Sequence, residues 1–167
     1  MRSLIFIPIL IIGVILQSTI ISQFSILSGF ADLLLLIVVS WSINTDDKLA
    51  VVWAILAGSL VSIFSAMTPL VPILGYVIAV SITKSVVNRT WQVPIIAVIF
   101  STIISTLVIH ILSIGAIWIN SNFSSNIVEL IQIITVPSLF LNILLILPVN
   151  SLIKDISHWV FPETEIE

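Results

Sequence analysis

The chain has 167 residues, of which 59% are hydrophobic and only 8% are charged. Soluble domains run near 45–50% apolar and about 25% charged, so a water-soluble fold of this composition would expose large apolar patches and aggregate. The net charge of -3, with five basic residues, argues against nucleic-acid binding, and the lack of cysteine excludes disulfides, thiolate metal sites and cysteine nucleophiles.

A helix needs roughly 20 apolar residues to cross a hydrocarbon core. The first candidate span covers 4–21, behind Arg2, with Pro8 in its first turns. It exceeds the roughly 7–15 residues of a signal h-region and has no small-residue cleavage site, so a retained span is expected. A polar patch follows, Ser22-Gln23-Phe24-Ser25 and Ser28-Gly29, and the second span is predicted over 31–43. That span is short, which suggests that Phe24–Gly29 dips into the membrane interface. The loop Asn44-Thr45-Asp46-Asp47-Lys48 leads into a third span, 49–66, with Asp46 or Asp47 suited to its N-cap.

Thr68-Pro69-Leu70-Val71-Pro72 is expected to break the chain before a fourth span at 73–87. Asn88-Arg89-Thr90-Trp91-Gln92 is a loop, and the fifth span covers 93–119. The sixth, 127–153, follows a Ser/Asn-rich loop and carries Pro137 and Pro148, which are expected to kink or divide it. A polar acidic tail is assigned to 156–167. The runs are continuously apolar, unlike the period-two alternation of barrel strands. The expected fold is therefore all-α, one domain, a bundle of six transmembrane helices.

Six spans place Arg2, Lys48, Lys84, Arg89 and Lys154 on one side, and leave the loops near 22–30, 67–72 and 120–126 without Lys or Arg. By the positive-inside rule both termini are expected in the cytoplasm. Trp91 and Trp159 then lie near the cytoplasmic face and Trp118 near the outer one, as interfacial anchors or as packing residues.

Small residues recur every four positions at Ala54, Gly58, Ser62 and Ala66, and again at Gly75 and Ala79. Such a face lets another helix approach closely, either a neighbour in the same bundle or a partner's transmembrane helix. Asp32 and Glu129 are expected at the outer interface, where a carboxylate at a helix N-terminus is favoured by the dipole and the free backbone donors. His110 is the ionisable group deepest in a span; it either bonds to Ser105, Thr106 or Ser113, or to a neighbouring helix, or relays protons. Asn142 and Asn150 are expected to hold helices together. The sequence has no H-E-x-x-H, G-x-S-x-G, P-loop or paired-carboxylate motif. No catalytic residue, cofactor or metal ligand is therefore assigned, and the chain is expected not to be an enzyme.

In order, Leu16-Gln17-Ser18-Thr19 ends the first span and Ala31-Asp32-Leu33-Leu34-Leu35 opens the second. Ala57-Gly58 lies in the third, Ser65–Pro69 leads to Leu74-Gly75-Tyr76 in the fourth, and Pro148 and Lys154 close the sixth. In this order of features the chain resembles the rod shape-determining MreD family. Ala31 stands where that family often has proline, and Ser62 or Ile63 where it often has aspartate. The resemblance implies a non-enzymatic scaffold of the bacterial inner membrane, serving cell elongation and peptidoglycan synthesis. Its implied partners are an MreC-like single-span protein and, indirectly, an MreB-like filament, a SEDS glycosyltransferase and a class B penicillin-binding protein. The alternative is the substrate-binding subunit of an energy-coupling-factor vitamin transporter, for which Tyr76, Trp118, Asn120, Asn122 and Glu129 are the candidate ligand contacts.

Overall fold

A computed structural model describes residues 5–45, 48–64, 68–87, 94–122 and 124–160. These fold into six helices: α1 (Phe6–Thr19), α2 (Leu33–Asn44), α3 (Ala50–Phe64), α4 (Leu70–Val87), α5 (Pro94–Asn120) and α6 (Ile127–Val160). No strand forms among the described residues; an isolated bridge pairs Ile26 with Gly29.

The helix starts follow from local chemistry. Pro8 and Pro72 stand in the first turns of α1 and α4, where no intrahelical acceptor waits for an N–H. The proline segment expected to separate spans three and four therefore becomes the first turn of α4, and that helix begins at Leu70 rather than at 73. Pro94 opens α5, where its fixed φ suits the first helical position. Asn126 caps α6 by accepting from the Glu129 amide at 3.5 Å.

The sixth helix differs most from the sequence reading. It runs on to Val160, through the first part of the expected tail, and it contains a π turn over Ile131–Thr135. The π turn ends at Thr135, two residues before Pro137. Pro148 is accommodated inside the helix. Asp46, Asp47, Ala66, Arg2, Arg89 and Trp91 lie outside the described residues.

α2 is the central pillar. It touches all five other helices, and every residue from Leu33 to Ser42 is buried. Gly13 lets α1 lie close to it: a Cβ there would sit 2.7 Å from Ile37 Cδ1. Phe6 closes the far end of the α1–α2–α3 packing, with ring centroids 4.6 Å from Trp41 and 5.4 Å from Trp53.

Contacts between helices fix their directions. Asp32 meets Asn142 and Asn44 meets Asn150; both numbers rise together, so α2 and α6 are parallel. Thr106 meets Asn142 while His110 meets Thr135, so α5 and α6 are antiparallel. Phe6 beside Trp41 and Gln17 beside Leu33 make α1 and α2 antiparallel, and α3–α4 and α4–α5, joined by short connections and packed closely at Gly58–Ile73 and Gly75–Ile109, are antiparallel hairpins. The helices thus alternate up and down. One end of the bundle holds Lys48, Lys84 and Lys154, and the opposite end holds the turn leading into α2 and the start of α6.

The outward surface is strongly apolar. Ile111, Ile63, Phe140, Leu144 and Leu152 are among its large exposed side chains, each at least 60% exposed. α5 and α6 are long and apolar enough to cross a membrane, whereas the other four helices are apolar but shorter.

Candidate functional site

The polar groups of this apolar chain gather where α2 begins. The preceding residues make a tight turn in which Ile26 and Gly29 exchange backbone hydrogen bonds of 3.0 and 2.9 Å. Leu27 takes a left-handed φ of 55° in that turn and is 72% exposed. Gly29 has its back against α6, where a Cβ would lie 2.7 Å from the Ile134 carbonyl oxygen and 2.8 Å from the Ser138 nitrogen. Only glycine permits this approach.

Pro137 explains where the turn docks. Lacking an N–H, it leaves the carbonyl of Ile133 without its usual i+4 donor. The Ser28 amide donates to that carbonyl at 3.2 Å. One residue pair on, the Phe30 amide donates to Ser138 Oγ at 3.1 Å. The turn thereby completes the hydrogen bonding of the distorted part of α6.

The first backbone donors of α2 are satisfied by side chains from three helices. Gln17 of α1 bridges the start of the helix: its Nε2 donates to the Ala31 carbonyl at 2.9 Å, and its Oε1 accepts from the Leu33 amide at 2.7 Å. The Asp32 amide donates to Asn142 Oδ1 of α6 at 2.8 Å, and Asn142 Nδ2 donates on to Thr106 Oγ1 of α5 at 3.0 Å. Asp32 itself caps the helix, accepting from the Leu35 amide at 3.1 Å. Tyr76 of α4 donates its hydroxyl to the same carboxylate oxygen, Oδ1, at 2.5 Å. Tyr76, Thr106 and Asn142 are fully enclosed, so each of these hydrogen bonds replaces water that cannot reach them. Beside this knot a cleft of about 370 Å³ opens between α1, α3 and the turn, with Asp32 on its wall.

The other candidate residues fall in separate places. Ala54 and Ala79 are buried. A Cβ on Gly58 would lie 2.7 Å from the Ile73 Cα and 3.0 Å from the Pro72 oxygen, and one on Gly75 would lie 2.8 Å from Ile109 Cγ1. The small-residue faces are thus occupied by this chain's own α4 and α5, and no partner helix has room at Gly58. Ser62 bonds to the Ser59 carbonyl of its own helix. His110 Nδ1 lies 3.4 Å from Thr135 Oγ1, in the π turn. Asn150 accepts from Asn44 at 2.9 Å, a second link between α2 and α6 near their other ends.

Glu129 is exposed in the first turn of α6, beyond the capping residue Asn126. Of the contacts considered for a transported ligand, Tyr76 is turned inward onto Asp32, whereas Trp118, Asn120, Asn122 and Glu129 are exposed around the α5–α6 connection. Among the described residues no group of three or more His, Asp or Glu gathers as a metal site would require. Gln17 and Tyr76 stand in the stretches that carry the resemblance and Thr106 was a possible partner of His110, but the hydrogen bonds that these residues and Ser138 make around the start of α2 had no sequence signal.

Comparison with protein-family models, with curated proteins and with solved structures yields no match for this chain.

Proposed function

We propose that this chain is a six-span, MreD-like scaffold of the bacterial inner membrane, without enzymatic activity, whose role is to hold an MreC-like single-span protein within the elongation machinery. Through that partner it would serve an MreB-like filament, a SEDS glycosyltransferase and a class B penicillin-binding protein. One observation carries the reading. Three separate stretches that carry the resemblance, around Gln17, Asp32 and Tyr76, are joined by hydrogen bonds at a single point.

The membrane placement is supported by the exposed apolar surface and by the gathering of Lys48, Lys84 and Lys154 at one end. The short helices do not oppose it. α2 has 12 residues and reaches about 18 Å at 1.5 Å per residue. The turn before it makes up part of the remaining thickness. Irregular backbone is tolerated at membrane depth where protein satisfies its polar groups, as α6 and Gln17 do here.

The small-residue faces are filled from within, so the partner helix is assigned to the outer surface of the bundle. An apolar groove of about 180 Å³ between α1, α2 and α6, passing Ile12, Gly13, Ile37 and Leu152, is the surface proposed for it. Affinity purification from native membranes tests the proposal. Recovery of an MreC-like single-span protein is the expected outcome, lost when Ile12 and Leu152 are both replaced by Asn in a chain that still inserts. Purification that never brings such a protein would refute the scaffold role.

A further inference from the structure

We propose that the cleft beside Asp32 binds the primary ammonium headgroup of an aminophospholipid, with an acyl chain laid over Phe30 and Phe64. The inference rests on the membrane-spanning reading above. The cleft measures about 370 Å³, with Val14, Val61 and Phe64 as apolar wall and Gln17, Ser18 and Asp32 as its polar part. Ligand sites of this kind combine apolar walls with a few placed polar groups, at volumes of about 300–1,000 Å³.

Asp32 supplies the specificity. Both hydrogen bonds to its carboxylate end on Oδ1, from Tyr76 and from the Leu35 amide. Oδ2 has no hydrogen-bond partner among the described residues, although the side chain lines the cleft. The described lysines all lie at the opposite end of the bundle, so no described cation balances this carboxylate. Gln17 cannot substitute, because its amide is committed to the Ala31 carbonyl and the Leu33 amide. The site therefore suits a positively charged hydrogen-bond donor, which favours the ionised carboxylate.

Three chemistries can be separated on that basis. A primary ammonium brings three donors and a positive charge. A choline headgroup has the charge but no donor, and an anionic headgroup meets the carboxylate with like charge. The rim completes the match to a lipid: Phe30 and Phe64 are 52% and 65% exposed, leaving apolar faces beside the polar end of the cleft at Asp32.

The full-length protein, equilibrated with phosphatidylethanolamine, phosphatidylcholine or phosphatidylglycerol in mild detergent, is read by native mass spectrometry for retained lipid. Retention of one phosphatidylethanolamine, in preference to the other two, is expected. Replacing Asp32→Asn is expected to lower that retention by about tenfold, the loss of a charge-assisted hydrogen bond. Val61→Trp, which fills the cleft and leaves the Asp32–Tyr76 pair in place, is expected to abolish it. Equal retention of all three lipids, or undiminished phosphatidylethanolamine in Val61→Trp, overturns the proposal, as does a non-lipid metabolite held in the cleft. Should Asp32→Asn fail to fold, the headgroup comparison and Val61→Trp still decide the matter. Carbonate extraction of the same preparations separates the two ideas: a chain that stays with the membrane yet shows no headgroup preference loses only the lipid site. One that washes off loses both.

Discussion

Tyr76 donates its hydroxyl to Asp32 Oδ1 across a sequence separation of 44 residues, onto the same oxygen that accepts from the Leu35 amide. The pair ties α4 to the N-cap of α2. It also converts an isolated acidic residue in an apolar chain into part of a connected network that continues through Asn142 to Thr106.

Tyr76→Phe is expected to destabilise the purified protein by about 1–3 kcal/mol, since it leaves Asp32 Oδ1 short of a donor. Asp32→Ala loses the cap as well as the tyrosine bond. The double variant should fall short of the sum of the two by about 0.5–3 kcal/mol, the mark of two groups that act together. Thermal unfolding in detergent measures all three; strict additivity would mean that the bond contributes nothing.

Glycines provide a contrast within one protein. Gly58→Ala would push a methyl to within 2.7 Å of the Ile73 Cα, where backbone must move, whereas nothing lies within 4 Å of a Cβ on Gly115. Gly58→Ala is thus expected to loosen the α3–α4 packing and lower the melting temperature. Gly115→Ala should be neutral or should stabilise by up to about 1 kcal/mol, from helix propensity alone. Melting temperatures in the reverse order would contradict the packing described.

Pro137 and Ser28 are expected to act as a pair. Pro137→Ala restores an N–H that competes with Ser28 for the Ile133 carbonyl, which favours a regular α6 and frees the turn. Hydrogen exchange at the Ser28 amide should then quicken while the middle of α5 keeps its protection. Unchanged exchange at Ser28 would show that the turn is held by Gly29 and Phe30 alone.

The absence of cysteine makes the native chain a clean background for accessibility labelling. In inside-out vesicles, Lys48→Cys and Lys154→Cys should react with a membrane-impermeant maleimide. Ser124→Cys should react only from the opposite side. Reaction of Lys48→Cys and Ser124→Cys from the same side would dismantle the six-span topology.

Helices and most of their connections were legible because long apolar runs and polar breaks are one-dimensional signals. The limits came from proline. Pro69 and Pro72 read as a break, yet the second falls where a helix start tolerates it, so α4 begins earlier. Pro137 read as a kink, and the sequence carried no hint that its orphaned carbonyl would be met by Ser28, more than a hundred residues away. The four-residue spacing of small side chains announced a close helix approach without naming the approaching helix, which proves to be α4 at Gly58 and α5 at Gly75. Asp32 and Asn142 were visible as polar residues in apolar surroundings; their meeting was not, because it depends on α2 and α6 running parallel.

That parallel arrangement has a consequence for biosynthesis. The Asp32 amide finds its acceptor 110 residues downstream, and Asn44 finds Asn150 after 106. Stepwise synthesis releases the second segment long before the last one emerges. Until then the start and end of that segment lack these partners, and truncation before Asn142 should leave a product that quality-control proteases remove.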